Sequence, residues 1–106
     1  MPDPVQLKHA TFTPHVNSTF RVVNNNSVVT ELQLFEVSEL KESSRNETFS
    51  ILFRGPAESP LPQGLYEFNH KAIGSFPLFI VPVAKDDQGM VYEAVFNRVR
   101  RQEPSV

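Results

Sequence analysis

Leu78-Phe79-Ile80-Val81-Pro82-Val83, the polar turn Asp86-Asp87-Gln88-Gly89, and Met90-Val91-Tyr92-Glu93-Ala94-Val95-Phe96-Asn97 make up the stretch on which the fold turns. Two apolar, β-prone runs joined by a polar loop that ends in glycine predict a β-hairpin. Nothing else in the chain has as much apolar surface to bury, so the remaining elements must pack around this pair. Pro77 and Pro82 each remove a ladder donor, which predicts an edge position for the first strand or a break near Pro82.

Working outward, Thr48 to Phe53 sets Phe49, Ile51 and Phe53 on one face of a strand. Leu65 to His70 sets Tyr66, Phe68 and His70 against Leu65, Glu67 and Asn69. Arg54-Gly55-Pro56, the proline-rich segment 57–64 and Lys71-Ala72-Ile73-Gly74 are connections. Val28 to Leu40 alternates with Val28, Thr30, Leu32 and Leu34 on one face. Its phase then slips, because Phe35 and Val37 take the opposite parity, and the slip predicts a bulge near Phe35-Glu36 that bends the sheet. Thr19 to Val23 reads as a strand closed by Asn24-Asn25-Asn26. Lys41 to Glu47 reads as a polar surface loop.

Before these strands, Phe12, Val16 and Phe20 recur at spacing four. Thr13-Pro14 offers a cap followed by a proline suited to a first helical turn, and Asn17 tolerates left-handed geometry at its end. The expected domain is residues 7–99, with a loose arm at 1–6 and a polar tail at 100–106. The expected fold is all-β: a small antiparallel barrel or two-layer sandwich of about six strands with a short N-terminal helical turn. No helix is long enough for a βαβ crossover, which excludes Rossmann-like and P-loop architectures.

The 106 residues hold nine Phe to fill one core and carry a net charge of −2, so no global field attracts nucleic acid or anionic lipid. Cys is absent, which removes disulfides and thiolate metal sites and fits a reducing compartment. Met1-Pro2-Asp3-Pro4 does not resemble a signal peptide, and the run Phe76 to Ala84 is too short to span a membrane. A cytoplasmic location is expected, and the N-x-S/T triplets at Asn17, Asn25 and Asn46 are read as accidental.

His9, His15 and His70 do not share a metal-ligand spacing, and His70 is expected to serve packing or a turn. Glu67 and Glu93 are the best acid–base pair in composition, but alternation turns both toward solvent. Ile73-Gly74-Ser75-Phe76-Pro77 lacks a nucleophile elbow. No catalytic, metal or cofactor residue is assigned, and the chain is expected not to be an enzyme. Arg98, Arg100 and Arg101 form a small basic patch that makes single-stranded nucleic-acid binding by a small barrel one alternative, against which the acidic charge balance weighs, and a cryptic enzyme is the other. The outer row of the hairpin is Phe79, Val81 and Val83 on one strand and Val91, Glu93, Val95 and Asn97 on the other. So apolar an outer face calls for cover by the N-terminal segment, by a second copy or by another protein.

Phe53-Arg54-Gly55-Pro56, Leu61-Pro62-Gln63-Gly64-Leu65-Tyr66, His70 with Gly74, Leu78-Phe79-Ile80-Val81-Pro82-Val83 and Tyr92-Glu93-Ala94-Val95-Phe96-Asn97, with Phe12 and Phe20, resemble a small bacterial family classed as a domain of unknown function. Asn17 departs from it where glycine is expected. The resemblance implies no established activity and no catalytic residues, and it associates the family with tail-fibre-like or tail-collar proteins of phage-derived systems. It implies a structural or accessory protein. Within these motifs Tyr66, Phe79 and Phe96 are expected in the core. Arg54, Tyr92, Glu93, Asn97 and His70 are the polar candidates for interaction or structure, and a cross-strand Arg54–Glu93 contact is expected to set register or line a groove.

Overall fold

The computed structural model describes residues 7–25, 27–44 and 46–99, the side chains of 98 and 99 aside. The expected arm at 1–6, the tail at 100–106, Asn26 of the first turn and the Arg98, Arg100 and Arg101 patch lie outside what it describes.

Seven strands follow a short helical segment: β1 (Thr19–Asn24), β2 (Ser27–Val37), β3 (Lys41–Glu42), β4 (Asn46–Gly55), β5 (Gly64–His70), β6 (Gly74–Asp86) and β7 (Gly89–Val99). Their order is β2-β1-β5-β6-β7-β4-β3, and a β2–β4 pairing closes the first six into an antiparallel barrel. The closure decides the expected choice between barrel and sandwich. The polar loop expected at Lys41 to Glu47 is not wholly irregular: β3 pairs Lys41 with Thr48 and Glu42 with Glu47. Two residues added at an existing edge need no apolar pattern of their own, so alternation cannot reveal them.

Bends occur where the ladder slips. Leu34 pairs with Phe53 and Glu36 with Leu52, leaving Phe35 unopposed, as the phase change predicts. Val29 is the extra residue between Val22–Thr30 and Val23–Val28, and Val83 is the extra residue between Pro82 and Ala84. Val28, expected on the face of Leu32 and Leu34, is exposed beside this first slip, as is Val29.

Phe12, Phe20, Leu32, Leu34, Ile51, Phe53, Phe68, Ile80 and Tyr92 fill the barrel, each at most 1% exposed. Burying a side chain of this size contributes about 1.5–3 kcal/mol. Phe12 comes from α1 (His9–Phe12), which a 3-10 turn (Thr13–His15) extends. The Lys8 amide donates to Thr11 Oγ1 and the Thr11 amide to the Lys8 carbonyl, a reciprocal cap. Four residues do not hold a helix unaided, so burial of Phe12 must supply the rest. Asn17 is left-handed (φ 78) and turns the chain into β1, as expected.

Phe12 marks where the barrel parts. β6 and β7 pair from Asp86–Gly89 to Val81–Glu93 and then separate. The first half of β6 continues along β5 and the second half of β7 along β4. The Phe12 ring bridges them, 6.0 Å from Phe76 and 5.3 Å from Phe96 by ring centroids. Pro77 therefore stands in a stretch with a neighbour on one side only, although β6 is internal in the strand order.

Candidate functional site

Three places gather polar or exposed groups. At the first, β5 ends in His70, which is 5% exposed. Its Nδ1 accepts hydrogen bonds from the amides of Ala72 (3.1 Å) and Ile73 (3.3 Å). A main-chain N–H can only donate, so Nδ1 carries a lone pair and the ring proton lies on Nε2. Nε2 donates to Ser18 Oγ at 3.0 Å, and Ser18 Oγ donates to the His15 carbonyl at 2.6 Å. Ser18 and His70 thus have the spacing of a nucleophile and its base with the opposite proton arrangement. A general base must accept the hydroxyl proton, and here the imidazole gives its own. The His15 ring lies 4.7 Å from that of His70 and the Phe20 ring 4.4 Å. Burial first, then the nearness of His15 and Lys71, holds His70 below the ordinary histidine pKa. Beside it a cavity of about 460 Å³ is lined by Ser18, Arg21, Glu31, Asn69 and Lys71 among others. The ion pair Arg21–Glu31 on its wall, at 3.7 Å, is exposed.

The second place is Arg54 on β4. Its Nη2 donates to Asp86 Oδ2 at 2.9 Å, and its guanidinium lies 4.3 Å from the centre of the Phe35 ring, the residue left over by the bulge. Its Nε is buried with no hydrogen-bond partner among the described residues. The carboxylate that Arg54 reaches is therefore Asp86 and not the expected Glu93. The register explains this: Arg54 stands opposite Val91, and Leu52 stands opposite Glu93. The amide of Gln88, foremost, and the Arg54 guanidinium hold the Asp86 carboxyl below its usual range.

The third place is the outer face of β5, β6 and β7. Leu65 is 69% exposed, Phe79 51%, Val83 50% and Val95 60%. Leu65 lies directly opposite Phe79, and Val81 opposite Glu93. Phe79 is thus a surface residue, where alternation sets it, and not the core residue expected from its motif. Val91 is corrected the other way, buried at 7% exposure on the outer parity. It stands directly opposite Arg54 across the ladder. Residues 7–18 do not cover this face, because Phe12 goes into the core.

The polar candidates do not converge. Tyr92 is buried, and its hydroxyl accepts the Leu61 amide at 2.8 Å, which anchors the loop between β4 and β5. Asn97 accepts from Thr48 Oγ1 at 3.4 Å across β4 and β7. Glu93 lies half-buried on the outer face, and His70 closes a turn. Ser18 and Asp86 escape sequence reasoning, since nothing local marks a serine that meets a histidine 52 residues away.

A family model described as a domain of unknown function, DUF6916, matches residues 7–96. The chain belongs to that family. Neither a curated protein nor a solved structure matches it. The expected membership of a domain family of unknown function therefore holds. The DUF6916 segment takes in Arg54, His70, Tyr92, Glu93 and the outer apolar face and stops one residue short of Asn97. Among the described residues, no three His, Asp or Glu side chains group closely enough to hold a metal ion.

Proposed function

We propose that this DUF6916 chain is a non-enzymatic interaction module, an accessory or assembly partner of a bacterial surface fibre or phage-tail-like fibre. The observation that carries this reading is the exposed apolar row of Leu65, Phe79, Val83 and Val95 on one side of the barrel. A folded monomer gains nothing by holding four large apolar side chains in water, whereas burying each against a partner contributes about 1.5–3 kcal/mol. The fibre as partner comes from the family resemblance, and a β-rich fibre subunit is the occupant assigned to the face. The proton arrangement at Ser18 and His70 weighs against hydrolysis.

The test is capture of the tagged chain from its native cells after brief cross-linking, beside a Phe79→Ser/Val95→Ser double variant with an unchanged melting temperature. Recovery of a fibre subunit by the native chain and not by the variant supports the proposal. Equal recovery by both, or recovery of no fibre subunit, overturns it.

A further inference from the structure

The parting of β6 from β7 leaves main-chain groups without partners. The two-residue loop makes Asp86 and Gly89 a hydrogen-bonded pair, and alternation carries that sense along β7 through Val91 and Glu93 to Val95 and Asn97. Each of these residues turns its N–H and C=O toward the β6 side. Beyond Val81–Glu93, however, no pair joins the two strands, and no other main-chain bond among the described residues takes up Val95 or Asn97. On β6 the residues of Val81's parity are Phe79, Pro77 and Ser75. Pro77 has no N–H to offer, so the β6 side of the cleft is blunted while the β7 side stays open.

The surroundings say what kind of segment fits. Phe12 seals the core here, and Phe96, half-buried against it, makes an aromatic floor. Phe79 and Val95 form an apolar rim. Glu93, half-buried where the strands part, has no hydrogen-bond or ion-pair partner among the described residues. An occupant therefore needs an extended backbone, apolar side chains at alternate positions and a cation for Glu93. The chain's own residues 1–6, Met-Pro-Asp-Pro-Val-Gln, suit this badly: Pro2 and Pro4 lack N–H groups, and Asp3 repeats the charge of Glu93.

We propose that the free edge of β7 at Val95 and Asn97 is a strand acceptor, to which a partner protein adds an extended segment of alternating apolar and basic residues. Strand addition rests on the interaction-module reading above and specifies how the partner is held.

The probe is a synthetic peptide of about eight residues alternating valine with lysine, beside the same peptide N-methylated at alternate amides. With the plain peptide, the amide protons of Val95 and Asn97 are expected to exchange at least about tenfold more slowly, and N-methylation is expected to weaken binding at least about tenfold. Asn97→Pro removes one edge donor and should abolish the protection; should that variant not fold, the methylated peptide decides alone. Equal binding of the methylated peptide overturns strand addition and leaves the apolar face as a docking surface. Absence of binding by the plain peptide also overturns it, as does slow exchange of Val95 and Asn97 in the free chain. In the last case, protection that rises with protein concentration assigns the edge to a second copy, and protection independent of concentration assigns it to the chain itself. The in-cell capture with Phe79 and Val95 replaced reads the interaction role separately, so the two failures are told apart.

Discussion

His70 accepts the Ile73 amide proton at 3.3 Å, and through this bond and its twin from Ala72 the imidazole closes the turn between β5 and β6. Protonating Nδ1 would set a third N–H against those two donors. Burial, with His15 and Lys71 close by, already keeps the folded-state pKa under the ordinary value of 6.5. The unfolded chain therefore takes up this proton more readily than the folded one. Stability from the neutral ring is complete above the ordinary histidine pKa, declines as pH falls below it, and levels off beneath the folded-state pKa. The melting temperature should be lower at about pH 5.5 than at about pH 7.5. His70→Ala should cost about 1–3 kcal/mol at the higher pH, because two turn amides lose their acceptor, and should flatten the dependence. A wild-type melting temperature equal at both pH values would contradict this account.

Gly89 and Gly74 both have positive φ, +134° and +100°, and they differ in what surrounds them. A Cβ on Gly74 meets open space, whereas a Cβ on Gly89 runs into the main-chain carbonyl of Gly55. Gly74→Ala should cost about 1 kcal/mol, the price of an L residue in a left-handed conformation. Gly89→Ala should cost more, about 3 kcal/mol, since two backbones must move apart. Urea unfolding of the two variants checks the ranking, and equal losses would mean that the β4–β7 contact yields freely.

Arg54→Ala removes the second of the two groups that hold the Asp86 carboxyl low and leaves the foremost one, the Gln88 amide. The Asp86 titration, followed by carbon NMR, should move up but remain below the ordinary 3.8. A full return would make Arg54 the dominant partner. The sign for stability follows: a depressed carboxylate stabilises the fold above its unfolded pKa, and the gain disappears as pH drops through the folded value.

Pro77→Val restores an N–H to the one-sided stretch of β6. With the β7 edge across from it also unpaired, the variant should self-associate at concentrations where the native chain does not. Sedimentation velocity over a concentration series reads this directly. Unchanged sedimentation would show that Pro77 does not guard the edge.

Much of the barrel was legible along the chain because strand alternation is a local property. Phe49, Ile51 and Phe53 share a face whatever they pair with, and the change of phase after Leu34 announced a bulge before any partner strand was known. The turns marked by Asn25, Gly74 and Gly89 were legible for the same reason, since Asn and Gly admit the positive φ that each of them adopts. The candidate site was less legible. Which residue faces Arg54 depends on the β4–β7 register, which sets Val91 and not Glu93 opposite it, and the carboxylate that Arg54 reaches depends on where the hairpin tip places Asp86. Ser18 meets His70 only once β1 lies beside β5.

The amino-acid sequence by itself determined an all-β chain, its turns, its bulge and the apolar row that includes Phe79 and Val95, because side-chain parity and turn chemistry act over a few residues. Tertiary structure alone decided that the sheet closes through β2 and β4, that Phe12 enters the barrel and leaves the outer row uncovered, and that β6 parts from β7 beyond Val81. Pro77 marks β6 as able to lack a neighbour, but alternation continues through residues 74–80 and 94–97, so nothing in β7 records the loss of its partner. Pairing belongs to two strands at once, and it is settled only when the whole core packs.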